Sequence, residues 1–138
     1  MSEDEDEDEI NALAAIDAII DNFSRHQREA YFSGFAADAT FLFPTALHRL
    51  DCRAAYESLW DDWERDFGFR VLGCSSSNRR IQVFSGTAVF SHDVETTLRE
   101  GDTERTVLER ESIIMERREG TWLCIHEHLS ARPVEGAS

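Results

Sequence analysis

The sequence of 138 residues contains no lysine, only two prolines and seven glycines, and no apolar run near the length of about 20 residues that a membrane span requires. This scarcity of proline and glycine leaves no flexible linker, and no internal repeat occurs, so we expect a single domain. Glycine-rich phosphate loops, GxSxG, HExxH and dinucleotide fingerprints are absent from the sequence. No tightly bound cofactor is therefore expected.

The three cysteines, Cys52, Cys74 and Cys124, are an odd number and include no CxxC pair. This pattern excludes a disulfide framework and a cysteine zinc site. Cys124 lies in an apolar segment, where a free cysteine is expected to act as a small core residue.

The charge balance is strongly acidic, because 14 arginines stand against 28 Asp and Glu residues and give a formal net charge of −14. Such a surface repels the phosphates of nucleic acids and of anionic membranes, so neither is an expected partner. The first residues, MSEDEDEDE, are the opposite of a basic signal or transit peptide. We therefore expect a cytoplasmic protein.

An acidic surface that uses arginine alone also favours a halophile as the source, the alternative being a GC-rich genome combined with one acidic tail. Seven acidic residues lie in positions 1–9, yet the remainder of the chain is still acidic. On the halophile interpretation the free energy of unfolding is expected to rise steeply from low salt to about 1 M KCl, because salt screens self-repulsion between like charges. Urea unfolding at a series of KCl concentrations measures this, and a flat profile contradicts the interpretation.

The N-terminal half is predicted to be helical. Apolar residues at spacings of three and four predict a first helix over residues 10–25, a second over 28–37 and a third over 51–68 that Asp51 would cap. Residues 40–43 alternate as a strand that Pro44 ends. We expect residues 1–9 to be a disordered acidic tail, residues 10–133 one domain, and residues 134–138 a second tail.

The C-terminal half is predicted to be a four-strand antiparallel meander. Strand-like segments cover residues 69–83, 87–98, 107–117 and 122–130, and turn dipeptides at Gly101-Asp102 and Glu119-Gly120 separate the last three. A Cys-Ser-Ser-Ser stretch in the first of these segments is expected to bend or bulge it. Helices followed by a meander give an α+β fold with the helices on one face of the sheet.

The last hairpin resembles that of the nuclear transport factor 2-like superfamily, particularly its SnoaL-like and DUF4440-type branches, and that of the calmodulin-dependent kinase II association domain. The shared pattern is two basic residues, an acidic-Gly turn, a Trp, and His-x-His-x-Ser ending near Pro. Here it comprises Arg117, Arg118, Glu119, Gly120, Trp122, His126, His128, Ser130 and Pro133. The segments REAYFSGFAADATFLFP and SGTAVFSHDVE also match the superfamily.

The resemblance implies a cone, in which a curved cystatin-like sheet wraps around three helices and leaves a pocket at one end. It further implies a homodimer that packs sheet against sheet. Members include isomerases, dehydratases, cyclases, hydrolases and scaffolds without activity, so fold alone does not give function. The kinase association domain has arginines in its pocket at the positions of Ile113 and Leu129, and their absence favours an apolar ligand over a carboxylate.

Alternation along the last strand places Trp122, Cys124, His126, His128 and Ser130 on one face and Leu123, Ile125, Glu127 and Leu129 on the other. Both faces are partly apolar, so the pattern does not indicate which lines the pocket. His126 or His128 is a candidate general base, and Asp93 is a candidate carboxylate at the pocket mouth. The alternatives are hydrogen-bonded histidines in a wall or interface, a solvated Asp93, and a metal site completed by Asp93, Glu95 or Glu111.

Candidate ligand-binding residues come from the aromatic and polar positions expected to face the cone. Tyr31 is a hydrogen-bond donor for a ligand oxygen, and Arg110 is a two-pronged anion binder unless a cross-strand Glu pairs with it. The full set is Tyr31, Phe43, Trp60, His92, Arg110 and Ser112. Most of the aromatic residues must also build the core.

Two functions fit these residues. The first is a SnoaL-like small-molecule-binding domain of unknown specific function, acting as an isomerase, dehydratase or cyclase on an apolar, oxygen-bearing ligand. The second is a non-catalytic homodimeric association domain with a vestigial pocket.

Overall fold

The computed structural model describes residues 3–133 and contains three helices and five strands in that part of the chain. The elements are α1 (Glu3–Ser24), α2 (Arg28–Phe32), β1 (Phe35–Leu42), α3 (Arg53–Phe67), β2 (Phe69–Phe84), β3 (Thr87–Glu100), β4 (Thr103–Arg118) and β5 (Thr121–Ala131). No helix among these residues is both long and apolar enough to cross a membrane.

The five strands form one curved sheet in the order β1-β5-β4-β3-β2, and this confirms the predicted α+β class. The predicted meander is present, since β2 to β5 pair antiparallel in succession. β1 adds to the far edge of β5 as a parallel strand. The helices pack on the concave face, α1 against β2 and α3 against β1 and β2.

The segment between α2 and β1 differs from prediction. α2 ends at Phe32 rather than at residue 37, and β1 begins at Phe35 rather than at residue 40. Gly34 causes the change: a Cβ there would lie 2.6 Å from Cγ1 of Ile19, and the Gly34 carbonyl already accepts a hydrogen bond from Cys124 N–H at 2.9 Å. The chain must therefore leave the helix at this close approach in order to join β5.

The acidic N-terminal segment is helical in the structure from Glu3 onward, where the sequence predicted a disordered tail. Acidic side chains in the first turns of a helix interact favourably with its dipole. Asp8 is largely buried and forms an ion pair with Arg117 on β4, which anchors the segment to the sheet. The predicted tail at 134–138 lies outside the described residues.

α3 occupies the predicted region. It ends at Gly68, whose φ of 62° is the left-handed conformation that terminates many helices. Its N-cap is Cys52 rather than the predicted Asp51, because the Asp51 carboxylate instead accepts a hydrogen bond from Arg49 Nε at 2.6 Å.

β5 contains a β-bulge, which the alternation of residue types does not reveal. Cys124 pairs with Met115, whereas His126, two residues further along, pairs with the adjacent Ile114. Ile125 is therefore an extra residue on β5, and every later side chain on the strand changes face.

A cluster of aromatic side chains fills the narrow part of the cone between the helices and the sheet. Trp60 of α3 lies at its centre with 0% exposure. Its ring centroid lies between 5.0 and 6.3 Å from six other rings. These neighbours are Phe23, His26, Tyr31, Phe32, Tyr56 and Phe69. The cluster therefore fills the space around Trp60, and four of its rings, Phe23, Tyr31, Tyr56 and Phe69, also line a cavity.

Candidate functional site

A cavity of about 290 Å³ lies between the helices and the concave face of the sheet, directly beside the aromatic cluster. Its size is at the lower end of the range of about 300–1,000 Å³ for ligand sites, which suits a compact ligand. Its apolar wall consists of Ile19, Ile20, Phe23, Phe43, Trp63, Phe69, Val94, Leu98, Val107 and Leu129. Its polar groups include Tyr31, Tyr56, His92, Glu109, Glu111 and Glu127.

Two buried carboxyl groups, from Glu111 on β4 and Glu127 on β5, form the polar floor of this cavity. They hydrogen-bond to each other, which requires that at least one of them carries a proton. Burial raises the pKa of Glu111 to about 8, and burial together with the charge of Glu111 raises the pKa of Glu127 well above its usual range. The pair therefore includes a neutral carboxylic acid at neutral pH.

His92 on β3 extends the carboxyl pair by hydrogen bonds on both sides of its ring. Its Nε2 lies 2.8 Å from Oε1 of Glu111, and its Nδ1 lies 2.6 Å from the Ser76 hydroxyl on β2. Burial, followed by the positive charge of Arg79, lowers the pKa of His92 to about 4. His92 and Glu111 are accordingly a hydrogen-bonded neutral pair rather than an ion pair.

Tyr31 of α2 and Tyr56 of α3 contribute two hydroxyl groups to the cavity. The oxygens lie 2.9 Å apart and hydrogen-bond to each other. Burial, followed by the charge of Glu127, raises the pKa of both phenols well above the usual value, so both remain donors. The cavity thus combines hydroxyl donors with a carboxyl pair inside an apolar wall.

Residues 12–135 match the sequence profile of the SnoaL-like domain. The chain belongs to the SnoaL-like domain family. A search of curated protein sequences finds no match. The family assignment confirms the superfamily that the last hairpin predicted.

Solved structures with the same fold carry different names. The SnoaL-like domain superimposes on a ketosteroid isomerase-like protein from Erwinia carotovora atroseptica with a TM-score of 0.77 at 14% identity, covering 93% of this chain and 98% of that chain. The superposition on the association domain of C. elegans CaMKII has a TM-score of 0.71 at 16% identity. It covers 94% of this chain and 100% of that chain. The superposition on an NTF2-like protein from Cytophaga hutchinsonii has a TM-score of 0.75 at 14% identity. It covers 96% of this chain and 100% of that chain. Identities this low show the fold alone.

Three of the predicted ligand-binding residues, Tyr31, Phe43 and His92, line the cavity of the SnoaL-like domain. Trp60 does not line it and lies in the aromatic core instead. The other two, Arg110 and Ser112, line a second concavity, whose lining also includes His92 and Glu111.

The prediction that the last strand keeps one face from Trp122 to Ser130 is wrong. Trp122 and Cys124 are buried against the helices, but the bulge then turns Glu127 inward and His128 outward. His128 lines the second concavity, and His126 Nδ1 hydrogen-bonds to the Thr40 hydroxyl at 2.8 Å. Neither histidine lines the cavity.

Asp93, the third candidate catalytic residue, also lines the second concavity. It lies 3.6 Å from Arg132 and accepts a hydrogen bond from Asn78 at 3.4 Å. Asp93 and His128 therefore line the same concavity, whereas His126 does not. Within residues 3–133, no group of three or more His, Cys, Asp or Glu has a geometry that holds a metal ion.

Sequence reasoning missed Glu127, Tyr56 and Ser76, and considered Glu111 only as a metal ligand. A usable signal existed for Glu127, because it is the one charged residue in the otherwise apolar series Leu123, Ile125 and Leu129. A lone carboxylate in an apolar series points to a buried, functional group.

Proposed function

We propose that this SnoaL-like domain binds a small, mostly apolar, oxygen-bearing molecule in the cavity and moves a proton on it. The observation that carries this proposal is the Glu111–Glu127 carboxyl pair, buried at the floor of an apolar cavity. Burying ionisable groups is unfavourable, and the surrounding core would pack without them. Paired carboxyl groups in such a setting supply a proton donor and, once one proton has left the pair, a proton acceptor.

The chemistry follows from the positions of the protons. Glu127, whose protonated form the hydrogen bond to Glu111 favours, donates its proton to a ligand carbonyl oxygen. In its carboxylate form, whose share grows as the pH rises toward about 8, Glu111 takes a proton from the adjacent carbon, so the C–H bond breaks and its electron pair forms the C=C bond of an enol. Glu111 then returns a proton to carbon while the enol O–H gives its proton back to Glu127, which regenerates the carbonyl and both carboxyl groups. The Tyr31 and Tyr56 hydroxyls supply further donors to the developing oxyanion.

Deuterium incorporation at the acidic CH₂ of 2-tetralone in D₂O, followed by ¹H NMR, tests this function. We expect the protein to accelerate incorporation, and Glu127→Gln and Glu111→Gln each to reduce the acceleration by about 100-fold or more. Glu95→Gln is the matched control, because Glu95 is an exposed carboxylate of β3 that does not line the cavity. Absence of acceleration, or equal rates in all four proteins, contradicts the proposal.

A second function, self-association through the outer face of the sheet, is supported by the CaMKII association domain among the solved neighbours. Val89 and Ile114 are half-buried partners on that face, and Leu108 is 39% exposed nearby. We expect sedimentation velocity to show a dimer that Ile114→Arg dissociates. Leu47→Arg, at a loop residue with 92% exposure, is the control. A monomeric wild-type protein contradicts this second function.

A further inference from the structure

The carboxyl pair does not end at His92, because a continuous series of hydrogen bonds joins it to the edge of the sheet. Glu127 bonds to Glu111, Oε1 of Glu111 lies 2.8 Å from His92 Nε2, and His92 Nδ1 lies 2.6 Å from the Ser76 hydroxyl. The four residues belong to four consecutive sheet positions, on β5, β4, β3 and β2. The series therefore crosses the sheet perpendicular to its strands.

The two ends of this series, Glu127 and Ser76, differ in exposure. Glu127 is 2% exposed and His92 is 3% exposed, whereas Ser76 is half-buried on the edge strand β2. Ser76 does not line the cavity. Its contact with solvent is therefore at the edge of the sheet and is separate from the cavity mouth.

Every member of the series can both donate and accept a proton, and two arrangements satisfy all the bonds. With both carboxyl groups protonated, Glu111 O–H donates to His92 Nε2, and Nδ1–H donates to Ser76. With one proton fewer, Ser76 O–H donates to Nδ1, and Nε2–H donates to the Glu111 carboxylate. Passage between the two arrangements moves one proton to solvent and exchanges the tautomers of His92.

We propose that Ser76, His92 and Glu111 form a proton relay that joins Glu127 to solvent at the β2 edge, so that the cavity acid exchanges its proton without using the cavity mouth. The inference deepens the proposed function and rests on it for the role of Glu127. A ligand that fills the cavity excludes water from its mouth. The relay would still let Glu127 exchange its proton with solvent at the β2 edge. Ser76 and His92 act through the carboxyl pair and are positioning residues.

The charged surroundings of His92 favour this tautomer route over an imidazolium. Burial and the positive charge of Arg79 on β2 disfavour a second proton on the ring, and the charge of the neighbouring Asp93 opposes them only in part. The titratable groups near the relay, on strands and helices, are Cys74, Arg79, Asp93, Glu109, Tyr31 and Tyr56. Of these, Glu109 further raises the pKa of Glu111.

¹⁵N NMR of the His92 ring tests the relay without any ligand. The His92 signals are assigned by their loss in His92→Gln. We expect the ring proton to lie on Nδ1 below a midpoint of about 8 and on Nε2 above it, because Glu111 then becomes the acceptor. Glu111→Gln is expected to abolish the pH dependence. A single tautomer from about pH 6 to about pH 10 overturns the relay.

The exit at Ser76 is tested by the exchange rate of the His92 ring N–H with water. We expect Ser76→Ala to slow this exchange about tenfold and Ser76→Thr, which keeps a hydroxyl, to restore it. An equal or faster rate in Ser76→Ala overturns the exit. If 2-tetralone is not exchanged but His92 changes tautomer, the proposed function fails and the relay stands. If 2-tetralone is exchanged but His92 keeps one tautomer, the proposed function stands and the relay fails.

Discussion

Raising the pH from about 6.5 to about 8 is expected to lower the free energy of unfolding, by about 2 kcal/mol for Glu111 and in the same direction for Glu127. In the unfolded chain both glutamates titrate near 4.5, whereas in the folded protein the pKa of Glu111 is raised to about 8 and that of Glu127 well above its usual range. The folded state therefore binds more protons across this window. The stability that these groups contribute is complete below about 4.5 and is lost as the pH rises through the folded pKa.

Because His92 titrates below about pH 6.5 in the unfolded chain, the carboxyl pair is best measured above that pH. Its pKa is lowered from 6.5 to about 4, so below about 6.5 the unfolded state binds more protons at this residue. Stability from His92 is present above 6.5 and is lost as the pH falls toward 4, which opposes the effect of the carboxyl pair. Above 6.5 that opposition ends, and the slope reflects the carboxyl pair.

Urea unfolding at a series of pH values, at constant ionic strength, measures this slope. The double variant Glu111→Gln, Glu127→Gln is expected to show a nearly flat profile between about 6.5 and about 8, since an amide does not titrate. Glu95→Gln keeps the buried pair and is expected to keep the wild-type slope. A wild-type profile as flat as that of the double variant would mean that both carboxyl groups are already ionised in the folded protein.

Trp60→Ala is expected to lower the free energy of unfolding by about 4 kcal/mol. The side chain is 0% exposed and contacts rings from α1, α2, α3 and β2, so its loss leaves a cavity where these elements meet. Denaturant unfolding followed by far-UV circular dichroism measures the change. A loss below about 1 kcal/mol would contradict the central position of Trp60.

Trp60→Phe is the matched control, because the Trp60 indole N–H is buried without a hydrogen-bond partner in the described chain. Phenylalanine removes that unpaired donor while it keeps most of the ring contacts. We expect a loss of about 1 kcal/mol, well below that of Trp60→Ala. Leu47→Ala, at a residue exposed to 92%, is expected to change stability by less than about 0.5 kcal/mol.

The sequence predicted the architecture well where local rules decide it. Helical spacing located α3 with its end at Gly68, and the Glu119-Gly120 dipeptide located the last hairpin, where both residues have positive φ. The α2–β1 corner was misplaced, because its position depends on the contact between Gly34 and Ile19. That contact joins two elements, and no local pattern contains it.

The candidate site was predicted only in part, and a single residue explains most of the difference. Strict alternation put His126 and His128 on one face with Cys124, but Ile125 bulges and brings Glu127 inward instead. A bulge depends on how two strands pair, so the sequence of one strand does not reveal it. The contact between Glu111 and Glu127 depends on the same shifted pairing of β4 with β5. Tyr31 and His92 were identified, because their strand and helix positions are regular.

The parallel pairing of β1 with β5 has a consequence for synthesis on the ribosome. Phe35 lies beside Cys124, so the nascent chain carries an unpaired β1 until the last hairpin emerges. Tyr31 is made early and Glu127 very late, so the cavity takes shape only when almost the whole domain has been translated. Loop closure over this separation is entropically costly, so we expect the pairing of β1 with β5 to be a late step of folding. Before that point, a holding chaperone has an open apolar cone to bind.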